Sequence, residues 1–137
     1  MATDAEHALR GMVRTGTVSA VYPDTDMVRV VFDDKDETTS PKLHVLHRCS
    51  GKNKDYWLPD IGDPVVCLFA NNDKNFSTGW ILGSYFTEKQ PPQVANADVM
   101  RMDFADGGFI EYDRAASSLT VNVPGNITIN GGTIHLN

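Results

Sequence analysis

The last 23 residues of the chain, 115–137, contain no Asp, Glu, Lys or Arg and carry a repeated pattern. The pattern is an apolar residue, any residue, an apolar residue and Asn, and it occurs at 119–122, 127–130 and 134–137. Because side chains alternate between the two faces of a strand, it predicts short strands with one apolar face. Strands this short bury too little apolar area to offset the entropy lost on ordering, so residues 100–137 must obtain a core from elsewhere.

Two arrangements would supply that core. Near-periodic short strands with Asn and Gly at the corners favour a β-helical stack, in which each layer covers the one before it. The alternative is an ordinary antiparallel meander packed on another part of the chain. We favour the stack because a proline-containing segment, 87–99, separates residues 100–137 from what precedes them. The uncharged surface also suits a narrow, intertwined stem.

Residues 15–86 predict a small closed β-barrel. Val28, Val30 and Phe32 alternate strictly after a Pro-Asp-Thr-Asp turn, which indicates a hairpin. About five short strands with glycines at the turns follow the pattern of a barrel better than that of a sandwich. We expect residues 1–14 to form an N-terminal arm with a short helix, and 87–99 to form a linker or strap. The predicted fold class is all-β.

Composition limits the possible partners. The 137-residue chain has 12 Lys and Arg against 18 Asp and Glu, a formal charge of −6, which disfavours nucleic-acid binding. Two cysteines and an N-terminus without an apolar stretch predict synthesis in a reducing cytoplasm without a signal peptide. No run approaches the roughly 18 apolar residues of a spanning helix.

Few residues suggest chemistry. His44, His47 and Cys49 are close in sequence, but in a strand only the last two share a face, and zinc needs three or four protein ligands. Cys67 lies in an apolar strand, where a buried, inert thiol is the usual state. The acidic pairs at 60/63 and 111/113 lie in or beside turns. We therefore predict no catalytic site, no metal and no cofactor.

Trp57 and Trp80 each precede apolar residues and a turn. This context favours positions in the core and rim of the barrel over a ligand-binding face. A barrel that binds single-stranded nucleic acid would carry aromatic residues interleaved with Lys and Arg on one face, and that interleaving is absent.

Three motifs resemble a known family. Trp-Leu-Pro-x-x-Gly-Asp at 57–63, Gly-Trp-Ile-Leu-Gly at 79–83 and Phe-x-Asp-Gly-x-x-Ile-x-Tyr-Asp at 104–113 occur in this order. Together with Gly-Thr-Val-Ser-Ala-Val-Tyr-Pro-Asp-Thr-Asp at 16–26, they resemble the phage baseplate assembly protein V family, the central spike of contractile tails. Spikes of R-type bacteriocins and other contractile injection systems are similar. The resemblance covers roughly residues 12–123.

The resemblance implies an OB-fold barrel, a strap and a C-terminal trimeric β-helix. Members of the family sit on a ring of hub proteins at the end of the tail tube, and sheath contraction drives them through the target envelope. The implied location is therefore the baseplate of a virion or tailocin particle. In a homotrimer of this kind, the expected core positions are the alternating apolar residues Leu119, Val121, Val123, Ile127 and Ile129.

The predicted tip differs from that of many family members, which hold iron through a His-x-His motif from three chains. Only His135 is present here, and strand alternation turns it away from Ile134 and Leu136. We instead expect a separate small conical tip protein, like the PAAR-type tips of related systems, to dock on Thr133, Ile134, His135, Leu136 and Asn137. The alternatives are a metal held on the axis by His135 of three chains, if the strand register were flipped, and a short stem plugged by its own last residues.

A second class of function remains open. The barrel could be an OB-fold binding module for an oligosaccharide or oligonucleotide, with the C-terminal β segment serving only to make it trimeric. A compact monomer would rule out the spike.

Overall fold

The computed structural model describes residues 3, 5–6, 11–34, 38–70 and 77–137. Its eight strands are β1 (Val13–Tyr22), β2 (Met27–Phe32), β3 (Leu43–Val45), β4 (Pro64–Phe69), β5 (Gly79–Ser84), β6 (Val99–Asp103), β7 (Phe109–Asp113) and β8 (Ser118–Asn122). The predicted N-terminal arm, 1–14, lies partly outside the described residues. Within it, 5–6 and 11–12 are helical. The chain divides into two compact units, Met1–Gln90 and Pro91–Asn137.

The first unit is a closed five-stranded barrel with the strand order β1-β2-β3-β5-β4. β1 pairs with both β2 and β4 in antiparallel fashion, which closes the ring, and β3 pairs with β5 in parallel. The predicted hairpin is confirmed, with β1 and β2 joined through the turn at 23–26. A five-stranded closed barrel is consistent with the predicted OB fold.

The alternation of buried and more exposed side chains along the strands defines the barrel core. The buried positions of β2 and β4 are every second residue, and Phe32 meets Phe69 edge-on with ring centroids 5.7 Å apart. Ser40 is the buried polar residue described in the barrel, and its hydroxyl accepts the Val30 amide at 2.9 Å while donating to the Pro41 carbonyl at 2.7 Å. The core comprises Val18, Val28, Val30, Phe32, Leu43, Val65, Cys67, Phe69 and Ile81.

The second unit contains a three-stranded antiparallel sheet in the order β6-β7-β8. β6 and β7 are joined by a tight turn in which Gly107 adopts a positive φ of 93°, a conformation that favours glycine. After β8, residues 123–137 form no strand within one chain, although all of them are described. The predicted strands at 126–130 and 133–137 are thus absent from the single chain, and the β-helix stays a prediction about several chains.

Candidate assembly surface

The sheet of the second unit is apolar on one face. Residues paired directly across neighbouring strands point to the same side, so the register fixes each face. Met100 pairs with Tyr112, which pairs with Leu119, and the next row on that side joins Met102, Ile110 and Val121. We call these six residues the apolar face. Two of them, Leu119 and Val121, were predicted from the sequence as core positions.

Within the second unit, Pro91–Asn137, the apolar face is left largely exposed. Leu119 is 65% exposed, Met100 62% and Val121 47%. All residues of 91–137 are described, and Gly108 is the one buried residue among them. Contiguous apolar surface of this kind, on a unit with no core of its own, indicates a surface that another polypeptide covers.

The opposite face of the same sheet is polar and internally paired. The Arg101 guanidinium donates from Nε to Asp103 Oδ1 at 2.9 Å and from Nη1 to Glu111 Oε1 at 3.1 Å, and it lies 3.9 Å from the centroid of the Phe109 ring. The hydrogen bond to Asp103 is the main cause that raises the pKa of Arg101 above its ordinary value. The sheet therefore has one face suited to water and one suited to a partner.

The apolar character continues beyond β8. Ile127 is 57% exposed and Ile129 69%, while Val123 is half-buried. The predicted trimer core consists of these three residues together with Leu119 and Val121 of the apolar face. In the single chain, the two isoleucines remain exposed. Sequence analysis missed Met100, Met102, Ile110 and Tyr112. The sequence signal for these four residues is the alternation of apolar and charged residues in Met-Arg-Met-Asp and Ile-Glu-Tyr. It is weaker than the pattern at 119–122 because charged residues lie between the apolar ones.

The residues predicted to receive a tip protein are also exposed. Thr133, Ile134, His135, Leu136 and Asn137 all lie at the surface, with Ile134 50% exposed and Leu136 92% exposed. Among the described residues, His135 included, no group of three or more His, Cys, Asp or Glu could hold a metal ion.

The other candidate residues have structural partners. His47 lies against Asp26, with Nε2 and Oδ2 2.8 Å apart, whereas His44 and Cys49 are exposed. Cys67 is fully buried, and this burial raises the pKa of its thiol to about 11, as expected for an inert cysteine. Trp57 is 56% exposed and so lies at the rim of the barrel.

The acidic pairs stabilise turns. Asp63 accepts the Asp60 amide at 2.9 Å, and Asp113 accepts the Ala115 amide at the same distance. Glu111 belongs to the Arg101 cluster already described. The carboxylates of Asp63, Glu111 and Asp113 thus each have a local hydrogen-bond partner.

A closed barrel followed by an amphipathic three-stranded sheet makes the described part of the chain an all-β protein. Its sequence is similar to the spike protein of Escherichia phage P2, with 30% identity over 115 residues. The match covers 84% of this chain and 52% of the phage protein, so the chain spans about half the length of that relative. No protein-family model matches the chain.

The similarity supports a distant relationship to phage spike proteins. Among the described residues, no helix has the length and apolar character needed to cross a membrane.

Proposed function

We propose that the chain is the central spike of a contractile tail baseplate, carried at the end of the tail tube and driven into the target envelope when the sheath contracts. The observation that carries the proposal is the uncovered apolar face. A sheet with two apolar rows and no covering layer needs copies of itself or another protein to exclude water. The likeness to a phage spike favours copies of itself, and the family resemblance supports a trimer.

In the proposed homotrimer, the three apolar faces meet around a common axis. Val123, Ile127 and Ile129 continue the shared core, and residues 123–137 gain strand partners from neighbouring chains in an intertwined β-helix. A core shared by three chains leaves few free strand edges along the stem and makes it stiff. The role is mechanical, so no catalytic group or cofactor takes part in it.

The barrel is proposed to adopt the OB fold and to join the spike to the hub proteins of the baseplate. The stem then faces the target cell. Residues 133–137 would receive a separate PAAR-like tip protein, a proposal supported by the exposed Ile134 and Leu136 in a segment without charged residues. Deletion of 132–137 should leave the trimer intact and remove the tip protein from purified particles. Unchanged retention of that protein would contradict the tip proposal alone.

Two substitutions in β8 test the trimer. Leu119 lies on the apolar face and Thr120 on the polar face, opposite Glu111. Leu119→Lys places a charge in the proposed core. Thr120→Lys places the same charge on the polar face, where water can solvate it and the Glu111 carboxylate can pair with it. Light scattering should give about 45 kDa, three chains of 15.1 kDa, for the unmodified protein and for Thr120→Lys.

Leu119→Lys should give a monomer. A monomeric unmodified protein at micromolar concentration would contradict the trimeric spike. A dimer of about 30 kDa, two chains of 15.1 kDa, would contradict the threefold arrangement.

A further inference from the structure

The barrel carries a basic segment in an otherwise acidic chain. Residues 38–54 contain four of the twelve Lys and Arg and none of the eighteen Asp and Glu. Their formal charge is therefore +4, against −6 for the whole chain. Asp55 ends this acid-free stretch, and the two aromatic residues Tyr56 and Trp57 follow it directly.

Much of this segment forms a projecting hairpin, residues 47–56, which we call the basic hairpin. The Asp55 amide donates to the Cys49 carbonyl at 2.9 Å, and Ser50 and Lys54 form an isolated bridge. Arg48 Nε donates to Asp55 Oδ2 at 2.5 Å. Lys52 lies at the tip between the bridged residues and is exposed.

The base of the basic hairpin is fixed to the barrel. The His47 ring stacks on Tyr56 with centroids 6.0 Å apart, and its Nε2 lies 2.8 Å from Oδ2 of Asp26 in the β1–β2 turn. Leu58, just beyond, packs against the barrel core. A hairpin held at its base and along its length loses little entropy when a partner binds, which favours affinity.

The exposed side chains of the basic hairpin and its flank match those that dominate protein interfaces. Arg48 has a side chain that is 87% exposed, Tyr56 is 64% exposed and Trp57 56%. Arg, Tyr and Trp are the three residue types most enriched among residues that carry binding energy. Lys52 adds a positive charge at the tip, where it can steer an acidic partner.

Nucleic acid is a poorer fit for this surface. Arg48 is already paired with Asp55, Lys54 donates to the Gly51 carbonyl at 2.7 Å, and one face of Tyr56 is covered by His47. A nucleic-acid groove needs a row of cations along the backbone and open aromatic faces for stacking.

We infer that the basic hairpin, together with Trp57, is the surface through which the barrel docks on its baseplate partner, and that this partner presents carboxylates around an apolar recess. The inference rests on the proposed function and goes beyond it by assigning the contact to particular residues and a particular chemistry.

Charge reversal tests the assignment in assembled particles. Lys52→Glu reverses the charge at the tip of the basic hairpin, and Trp57→Ala removes an aromatic anchor. Arg29→Glu is the matched control, because Arg29 is an exposed cation on β2 of the same barrel and the charge change is identical. Each full-length variant is purified for light scattering, and its copy number relative to tube protein is measured by quantitative mass spectrometry of purified particles.

We expect Lys52→Glu and Trp57→Ala to remain trimeric and to be incorporated at least about tenfold less, while Arg29→Glu is incorporated normally. Acidic-to-basic substitutions in one baseplate protein should restore Lys52→Glu. Normal incorporation of both variants, with the unmodified chain present in particles, overturns this inference and leaves the proposed function standing.

Other occupants of the surface give different results. Loss of trimer mass in Lys52→Glu would assign the basic hairpin to contacts between copies of this chain and overturn the inference. DNA binding by the purified protein that disappears in Lys52→Glu but not in Arg29→Glu would also overturn it. Absence of the unmodified chain from tail particles would overturn the proposed function itself.

Discussion

Gly16 lies at a point of close approach between β1 and β2. A Cβ atom at this position would meet the side chain of Val30 and would lie 2.5 Å from the carbonyl oxygen of Val31. The carbonyl belongs to the β1–β2 ladder and cannot move away without disturbing it. Gly83, on β5, has open space where its Cβ would stand. The two glycines thus differ in what surrounds them and not in the type of element that carries them.

We predict that Gly16→Ala lowers the free energy of unfolding of the barrel by about 1–3 kcal/mol through overpacking. Gly83→Ala should change it by less than about 0.5 kcal/mol. Urea unfolding followed by tryptophan fluorescence measures both. Equal effects of the two substitutions would show that backbone entropy, and not the contact with Val31, governs the response.

At the scale of elements, the positions of the strands could be predicted from the sequence far better than which strands pair with one another. Strict alternation in Val28, Val30 and Phe32 identified β2 and its buried face, because a closed barrel has a single interior. The same rule located Leu119 and Val121 in β8. It could not show that Met100 and Tyr112 join them, since that depends on the register of β6, β7 and β8, which the turns set.

Prediction from the sequence is more limited for the residues beyond β8. Ile127 and Ile129 alternate as strand residues do, yet residues 123–137 form no strand in one chain. A strand needs an edge to pair with, and the sequence does not say which chain provides that edge. From the sequence one could therefore predict that the candidate surface is apolar, but not which of its residues contact one another.

The ion cluster on the polar face of the sheet should stabilise the second unit. Arg101 is 18% exposed and serves two carboxylates and an aromatic ring, while Arg114 is 69% exposed and pairs with Asp98 alone. We predict that Arg101→Met lowers the melting temperature of the assembled protein by several degrees, because Asp103 and Glu111 lose their shared partner. Arg114→Met should have little effect, as is usual for exposed pairs.

Calorimetry on the two variants at the same protein concentration checks this prediction. The concentration must be matched because association of folded chains raises the melting temperature by mass action. A larger effect from Arg114→Met would contradict the assigned role of the Arg101 cluster.

At the scale of the whole molecule, the two units differ in whether each has a hydrophobic core of its own. Every residue of the hydrophobic core, from Val18 to Ile81, belongs to Met1–Gln90. In Pro91–Asn137, the apolar side chains are spread over a surface and Gly108 alone is buried. A protein with this division should separate into a part that folds alone and a part that folds only on association.

We predict that a fragment of residues 1–90 is a folded monomer, and that a fragment of residues 91–137 is unfolded at low micromolar concentration and gains β structure as it associates. Circular dichroism over a hundredfold concentration range, with light scattering on the same samples, tests both. A stable monomeric sheet from the second fragment would contradict the requirement for a shared core.

The order of the units along the chain has a consequence during synthesis. The ribosome releases residues 1–90 first, and the barrel can close before the apolar face emerges from the exit tunnel. The apolar face is then exposed only after the barrel has emerged, and for a shorter time than the opposite order of units would give. Transposing the two units would expose the apolar face throughout translation, and the same two folded parts would yield more aggregate and fewer finished particles.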